Sequence, residues 1–184
     1  MSLKGLEQAI ANLNSISNTA VPRASAQAVN RVATRAVSRS VAVVSKDTRV
    51  PRKLVKQRAR IKRATAKKPM AMIRVNRGNL PAIKLGTASV RLSRRKRDNK
   101  GANSVLRIGP FRFPGAFIQQ LGNGRWHVMR RTSRPRYPID VVSIPLAAPL
   151  TTAFKDELPK LMESDMPKEL RASLKNQLRL ILKR

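Results

Sequence analysis

Cysteine is absent from this 184-residue chain. That excludes disulfides, thiolate nucleophiles and thiolate metal sites, and it suits a reducing compartment. Histidine occurs once, at His127. Aromatic residues make up 3% of the chain, so a core must rest on Val, Ile, Leu and Ala. Long apolar runs are missing too. None approaches the ~18 residues of a membrane-spanning helix, and the longest candidate, IPLAAPL at 144–150, is broken by Pro145 and Pro149. The opening MSLKGLEQAI lacks the uninterrupted apolar core of a secretory signal.

Acidic residues are the most telling shortage. Nine Asp and Glu face 40 Lys and Arg, for a formal net charge of +31. Five of the nine (Asp156, Glu157, Glu163, Asp165, Glu169) lie in one C-terminal stretch, so residues 1–155 hold only Glu7, Asp47, Asp98 and Asp140. Such a basic field repels itself and weakens folding. It exceeds what solubility needs. An anionic partner would supply the compensation.

Catalytic equipment is poor. His127 stands beside Trp126 in a strand-like pattern and reads as structural. A two-metal nuclease needs clustered carboxylates, whereas Asp140 is isolated and Asp98 sits among cations. No phosphate-cradling Gly-Lys-Ser/Thr motif and no Gly-x-Ser-x-Gly occurs, and no base is placed to activate a Ser or Thr. The expectation is a protein that is not an enzyme and takes no cofactor or metal.

Apolar content of 41% is enough for a real core, which argues against wholesale disorder. Leu3, Leu6, Ile10 and Leu13 recur at helical steps. Ala28, Val29, Val32, Ala33, Ala36, Val37, Val41 and Val44 form a longer helical stripe, with Pro22 in the first turn. Arg31, Arg35 and Arg39 make a basic ridge rotated from that stripe, either a solvated face or a binding one. Residues 50–68 are helix-permissive after Pro51. Their cations, among them Arg58, Arg60, Lys62 and Arg63, surround few apolar residues, which leaves packing little to gain.

After residue 69 the period changes to two. MIRVNR, AIKLG, VRLSR, VLRIG, GAFIQQL, RWHVMRR and YPIDVVSIP read as short strands. Gly78-Asn79, Gly86, Gly109-Pro110, Pro114-Gly115 and Gly122-Asn123-Gly124 mark the turns. Links this short imply an antiparallel meander. Phe111 and Phe113 read as core or interface rather than as a base-stacking pair. The C-terminus returns to helix, with Pro159 kinking or ending one segment. A last helix from Pro167 carries Leu170, Leu174, Leu178 and Ile181 as its apolar stripe.

The fold class is therefore α+β, one domain over 1–184: helical at 1–68, β-rich at 69–145, helical at 146–184. SRRKRDNKG, residues 93–101, is the tip of a long hairpin between VRLS and SVLRIG. Arg94, Arg95, Lys96, Arg97 and Lys100 would form a basic finger for a polyanion. Five phosphate contacts on duplex DNA would give a salt slope of roughly −4 to −5. Arg31, Arg35, Arg39, Arg58, Arg60, Lys62 and Arg63 would be a secondary basic surface. No module for reading sequence is visible. Composition alone would favour a cellular polyanion-binding protein of ribosomal or nucleoid type.

Five stretches together carry a resemblance: KGLEQAIANL (4–13), VPRKLVKQRARIKRAT (50–65), VNRGNLPAIKLG (75–86), PGAFIQQLGNGRWHVMRR (114–131) and RYPIDVVSIPLAAPLTTAF (136–154). In this order they resemble the minor tail protein Z family of lambda-like long-tailed bacteriophages. The resemblance implies a virion protein, assembled in the host cytoplasm, that completes the tail at its head-proximal end. It implies a ring, six subunits by analogy with neck proteins. The implied neighbours are tail-terminator, tail-tube or head-connector proteins and double-stranded genomic DNA, with no membrane partner and no catalytic residue to carry over.

Overall fold

The computed structural model describes residues 3–91, 104–132 and 137–182, with side chains from residue 7 on, except those of 9 and 182. Helices open and close the chain and antiparallel strands lie between them, the α+β order expected from its periodicities. The chain divides into two compact units. One holds residues 1–43, 56–76 and 150–184; the other holds 44–55 and 77–149. Each is assembled from separate stretches of sequence, so neither ends at a linker.

In the first unit, α1 (Leu3–Ser15) runs through a wider π-type turn, Ile16–Ala20, into α2 (Val21–Thr48). Ala24, Ala28, Val32, Ala36 and Ser40 of α2 recur every four residues and are all at most 2% exposed. Small side chains in that row let neighbouring backbone come close. The Ser40 hydroxyl donates to the Ala153 carbonyl at 3.3 Å, tying α2 to α4 (Ala147–Ser164). Leu161 of α4 is wholly buried on Val32 and Ala36, with Ile73 and Met166 packed around it. α4 continues through Pro159, which is exposed, rather than ending there. Pro149 falls in its first turn, where a missing N–H costs nothing. On α1, Ile10 and Leu13 stay more than half exposed.

Two expectations for the helical stretches are corrected. Residues 50–68 are not one helix: α3 (Arg52–Lys56) is short, and β1 (Ala59–Lys62) follows and pairs with β2 (Met72–Val75). Ala59 and Ile61 alternate with Arg60 and Lys62, half-buried against exposed. With only two apolar side chains, the period of two is easily lost among the charges. On α5 (Met166–Leu182), the inward row is Glu169, Ser173 and Gln177, each under 9% exposed. Leu174, Leu178 and Ile181 are only half-buried, and Leu170 is 38% exposed. An ion-pair network, described below, sets this rotation.

The second unit is the meander. β3 (Leu80–Pro81) pairs with β10 (Ser143–Ile144). β4 (Ala88–Arg91), β5 (Val105–Ile108) and β6 (Phe111–Pro114) form one sheet. β7 (Ala116–Gln120), β8 (Trp126–Arg131) and β9 (Ile139–Val141) form another. Every pairing is antiparallel. Leu106 and Ile108 anchor β5 with no exposure, and Val128 anchors β8. Gly109 and Gly124, at φ +56° and +74°, make the β5–β6 and β7–β8 turns in a region L side chains avoid. The expected strand AIKLG is instead a 3-10 turn, Ala82–Leu85. Residues three apart share a face in that helix, and Ala82 and Leu85 are the two that are buried.

Candidate polyanion-binding surfaces

The finger residues Arg94, Arg95, Lys96, Arg97 and Lys100 lie outside the described residues. On either side of them, β4 and β5 pair from Ala88↔Ile108 to Arg91↔Val105.

The α2 ridge already has anionic partners. Arg31 Nη1 donates to Glu169 Oε2 at 3.0 Å, and Arg35 Nη1 donates to Asp165 Oδ2 at 2.9 Å. Arg35 Nη2 reaches back to Glu169 Oε1, so one carboxylate bridges two arginines. The spacing is complementary: arginines at i and i+4 on α2 meet acids four residues apart, Asp165 in the turn before α5 and Glu169 in the first turn of α5. Glu169 is the buried member, with 11% side-chain exposure against 54% and 48% for Arg31 and Arg35. A hydrogen bond from Arg31 holds its carboxyl below the usual glutamate range, against the opposing effect of burial. Hydrogen bonds from Arg35 and then Ser164 lower Asp165 likewise. Arg35 is raised in turn, chiefly by its bond to Asp165. These charged bonds explain why α5 turns a glutamate inward and leaves leucines at the edge. Among the described residues Arg39 makes no ion pair.

The β1–β2 ribbon differs. Its register places Arg60 directly opposite Arg74 and Lys62 opposite Met72, all four exposed on one face. Ile61 opposite Ile73 and Ala59 opposite Val75 form the other, half-buried face. Arg63 is exposed just beyond β1. Asn30 of α2 clamps the loop that joins the strands. Its Nδ2 donates to the Ala64 carbonyl at 2.9 Å, and its Oδ1 accepts from the Ala64 N–H at 2.8 Å. A groove of about 660 Å³ also opens in this unit, lined by Val29, Ile73, Phe154, Leu158, Met162 and others. Lys155 is its one charged lining residue, so its chemistry is apolar.

A family model described as prophage minor tail protein Z (GPZ) matches residues 3–184. The chain belongs to this family. It is 91% identical to a tail completion protein of Escherichia phage N15, with both chains covered end to end. It is 58% identical to tail completion protein Z of Escherichia phage lambda, again over the full length of both. No solved structure matches it.

Two relatives in this minor tail protein Z family carry names that refer to tail completion. Among the described residues no three His, Cys, Asp or Glu side chains gather as a metal site requires, and no helix is long and apolar enough to cross a membrane. Asp140 stands across from Arg130 in the β8–β9 ladder. His127 is half-buried on β8. Phe111 and Phe113 stack on each other, ring centres 6.2 Å apart, on β6. Sequence reasoning did not single out Arg74 because its partner depends on strand register. It gave Asp165 and Glu169 no partner, although their four-residue spacing repeats that of Arg31 and Arg35.

Proposed function

We propose that this chain is a structural virion protein that completes the tail of a long-tailed phage at its head-proximal end. The observation that carries this reading is full-length identity of 91% and 58% to two proteins named for tail completion. Such a subunit must bind other tail or head proteins, of tail-terminator, tail-tube or head-connector type, and a ring of six around the tail axis is the arrangement we favour. No catalytic step is assigned to it.

The reading extends to duplex DNA. Four acids in the first 155 residues and a net charge of +31 favour contact with a polyanion. Lys and Arg bind phosphates by releasing counterions, without reading sequence. In a ring, the fingers carrying Arg94, Arg95, Lys96, Arg97 and Lys100 would make a collar of positive potential. Many weak contacts of this kind hold a DNA end and still release it during ejection.

The test is complementation. A lambda-like phage deleted for its own tail-completion gene is supplied with this chain in the host. Recovery of plaques, with the protein found in purified particles and six copies imaged at the neck, supports the reading. No recovery, or recovery with the protein absent from particles, overturns it. Replacing the five finger cations by Gln should spare folding and lower infectivity; full infectivity removes the finger from the mechanism.

A further inference from the structure

Five acids crowd the C-terminal helices. Two of them, Asp165 and Glu169, neutralise the α2 ridge, while the β1–β2 ribbon in the same unit is left bare. Among the described residues the side chains of Arg60, Lys62 and Arg74 have no ion pair and no hydrogen bond. The Asn76 N–H donates to the Arg58 carbonyl at 2.8 Å and continues the ladder. Alternate pairs in an antiparallel ribbon are hydrogen-bonded, so Arg60 and Arg74 form such a pair, with Cα atoms about 5.5 Å apart. Like charges directly opposite one another destabilise a ribbon. This pair is also held in place. Ile73 is seated on the Val32–Ala36–Leu161 core. Asn30 fixes the loop at Ala64, and Thr65 and Lys68 close that loop with reciprocal backbone bonds of 2.9 and 3.0 Å. The backbone that sets these two repelling arginines opposite each other is ordered before any anion arrives, so the backbone share of the ordering cost is met in advance.

We infer that the outer face of the β1–β2 ribbon, Arg60, Lys62 and Arg74, is a phosphate-backbone contact for duplex DNA. The arginine fork binds a phosphate bidentately. Alternate residues on a strand lie ~6.8 Å apart, so Lys62 extends the contact along the backbone. The composition of the face separates DNA from an acidic protein partner. Cores of protein interfaces are depleted in charge and built on apolar anchors, whereas this face offers Met72 alone among cations. No aromatic stands on it to stack a base, so contact is independent of sequence. The inference rests on the DNA contact proposed above and places part of it on a second element besides the finger.

The experiment is fluorescence anisotropy of the full chain with a labelled mixed-sequence duplex from about 50 to 200 mM salt. Wild type, the R60Q/K62Q/R74Q triple variant and the five-site finger variant are compared. Three lost phosphate contacts reduce the steepness of log K against log salt by about 2.7. The thermal midpoint should hold or rise, because an opposed like-charge pair has been removed. If the triple variant folds poorly, R74Q alone should reduce the steepness by about 0.9. Unchanged affinity and slope in a folded variant overturn the inference. If the finger variant loses the salt dependence and the ribbon variant keeps it, this inference fails and the wider DNA reading stands. If wild type binds no duplex, both fail. Retained duplex binding with loss of an acidic tail protein in a pull-down reassigns the ribbon to protein contact and likewise overturns it.

Discussion

Replacing Glu169 by Gln tests whether a buried carboxylate sets how α5 sits on α2. The substitution keeps the side-chain shape and removes the charge that two arginines share. Breaking a fully buried ion pair costs about 3–5 kcal/mol, because the surviving charge is stranded. An exposed pair is worth about 0–1 kcal/mol. This site lies between those limits. Glu169 is 8% exposed overall, but both arginines keep roughly half of their side chains in water, and Arg35 keeps Asp165. The expected loss is therefore about 1–2 kcal/mol. For a chain of this size that lowers the thermal midpoint by about 2–8 °C. Any loss of negative charge also raises the self-repulsion of so basic a chain. Glu163→Gln, exposed and without an ion pair among the described residues, is the control for that effect. The pairing itself is isolated by a cycle with Arg31→Gln, which should show coupling above about 0.5 kcal/mol. Circular dichroism melts of wild type, the three cycle variants and the Glu163→Gln control give the numbers. Folding lowers the carboxyls of Glu169 and Asp165 below their ordinary values of 4.5 and 3.8. Their stabilisation is thus complete above about pH 4.5 and disappears as pH falls through the lowered folded-state values. The gap between wild type and variant should close in that acid range. A Glu169→Gln protein that melts with the Glu163→Gln control at pH 7, with additive single effects, would refute the argument.

Other substitutions probe separate parts. Leu161→Ala removes the wholly buried side chain on Val32 and Ala36 and should cost about 2–5 kcal/mol in urea unfolding. Asn30→Ala deletes both bonds to Ala64 and should cost about 1–3 kcal/mol, with faster amide exchange at Ala64 as its local signature. Gly109→Ala meets no atom within 4 Å, so its cost comes from φ +56° alone, about 1–2 kcal/mol by thermal melt.

Local pattern revealed the elements that a single face dictates. The α2 stripe from Ala28 to Val44 is buried apart from half-buried Val29, and Gly109 and Gly124 punctuate the meander. Pattern failed where a partner decides. The leucines of α5 look like its inward face until Arg31 and Arg35 are placed opposite Glu169. Four consecutive residues with two cations gave β1 no readable amphipathicity until β2 lay beside it. AIKLG looked like a strand because Ile83 and Leu85 alternate with Lys84, whereas the buried pair, Ala82 and Leu85, is three apart and fits a 3-10 turn. For the candidate sites, the cations themselves were legible. Which of them are already neutralised was not, because the acids concerned lie about 130 residues away in sequence.

The small-residue spine of α2 has a mechanical consequence. Alanine has no rotamer to lose on burial, and valine in a helix is held in one. The contact face from Ala24 to Ala36 therefore has the same contour before packing as after it. A neighbour of the wrong shape cannot be accommodated by a turning side chain; it can only force the helices apart. The spine acts as a rail that fixes one helix separation.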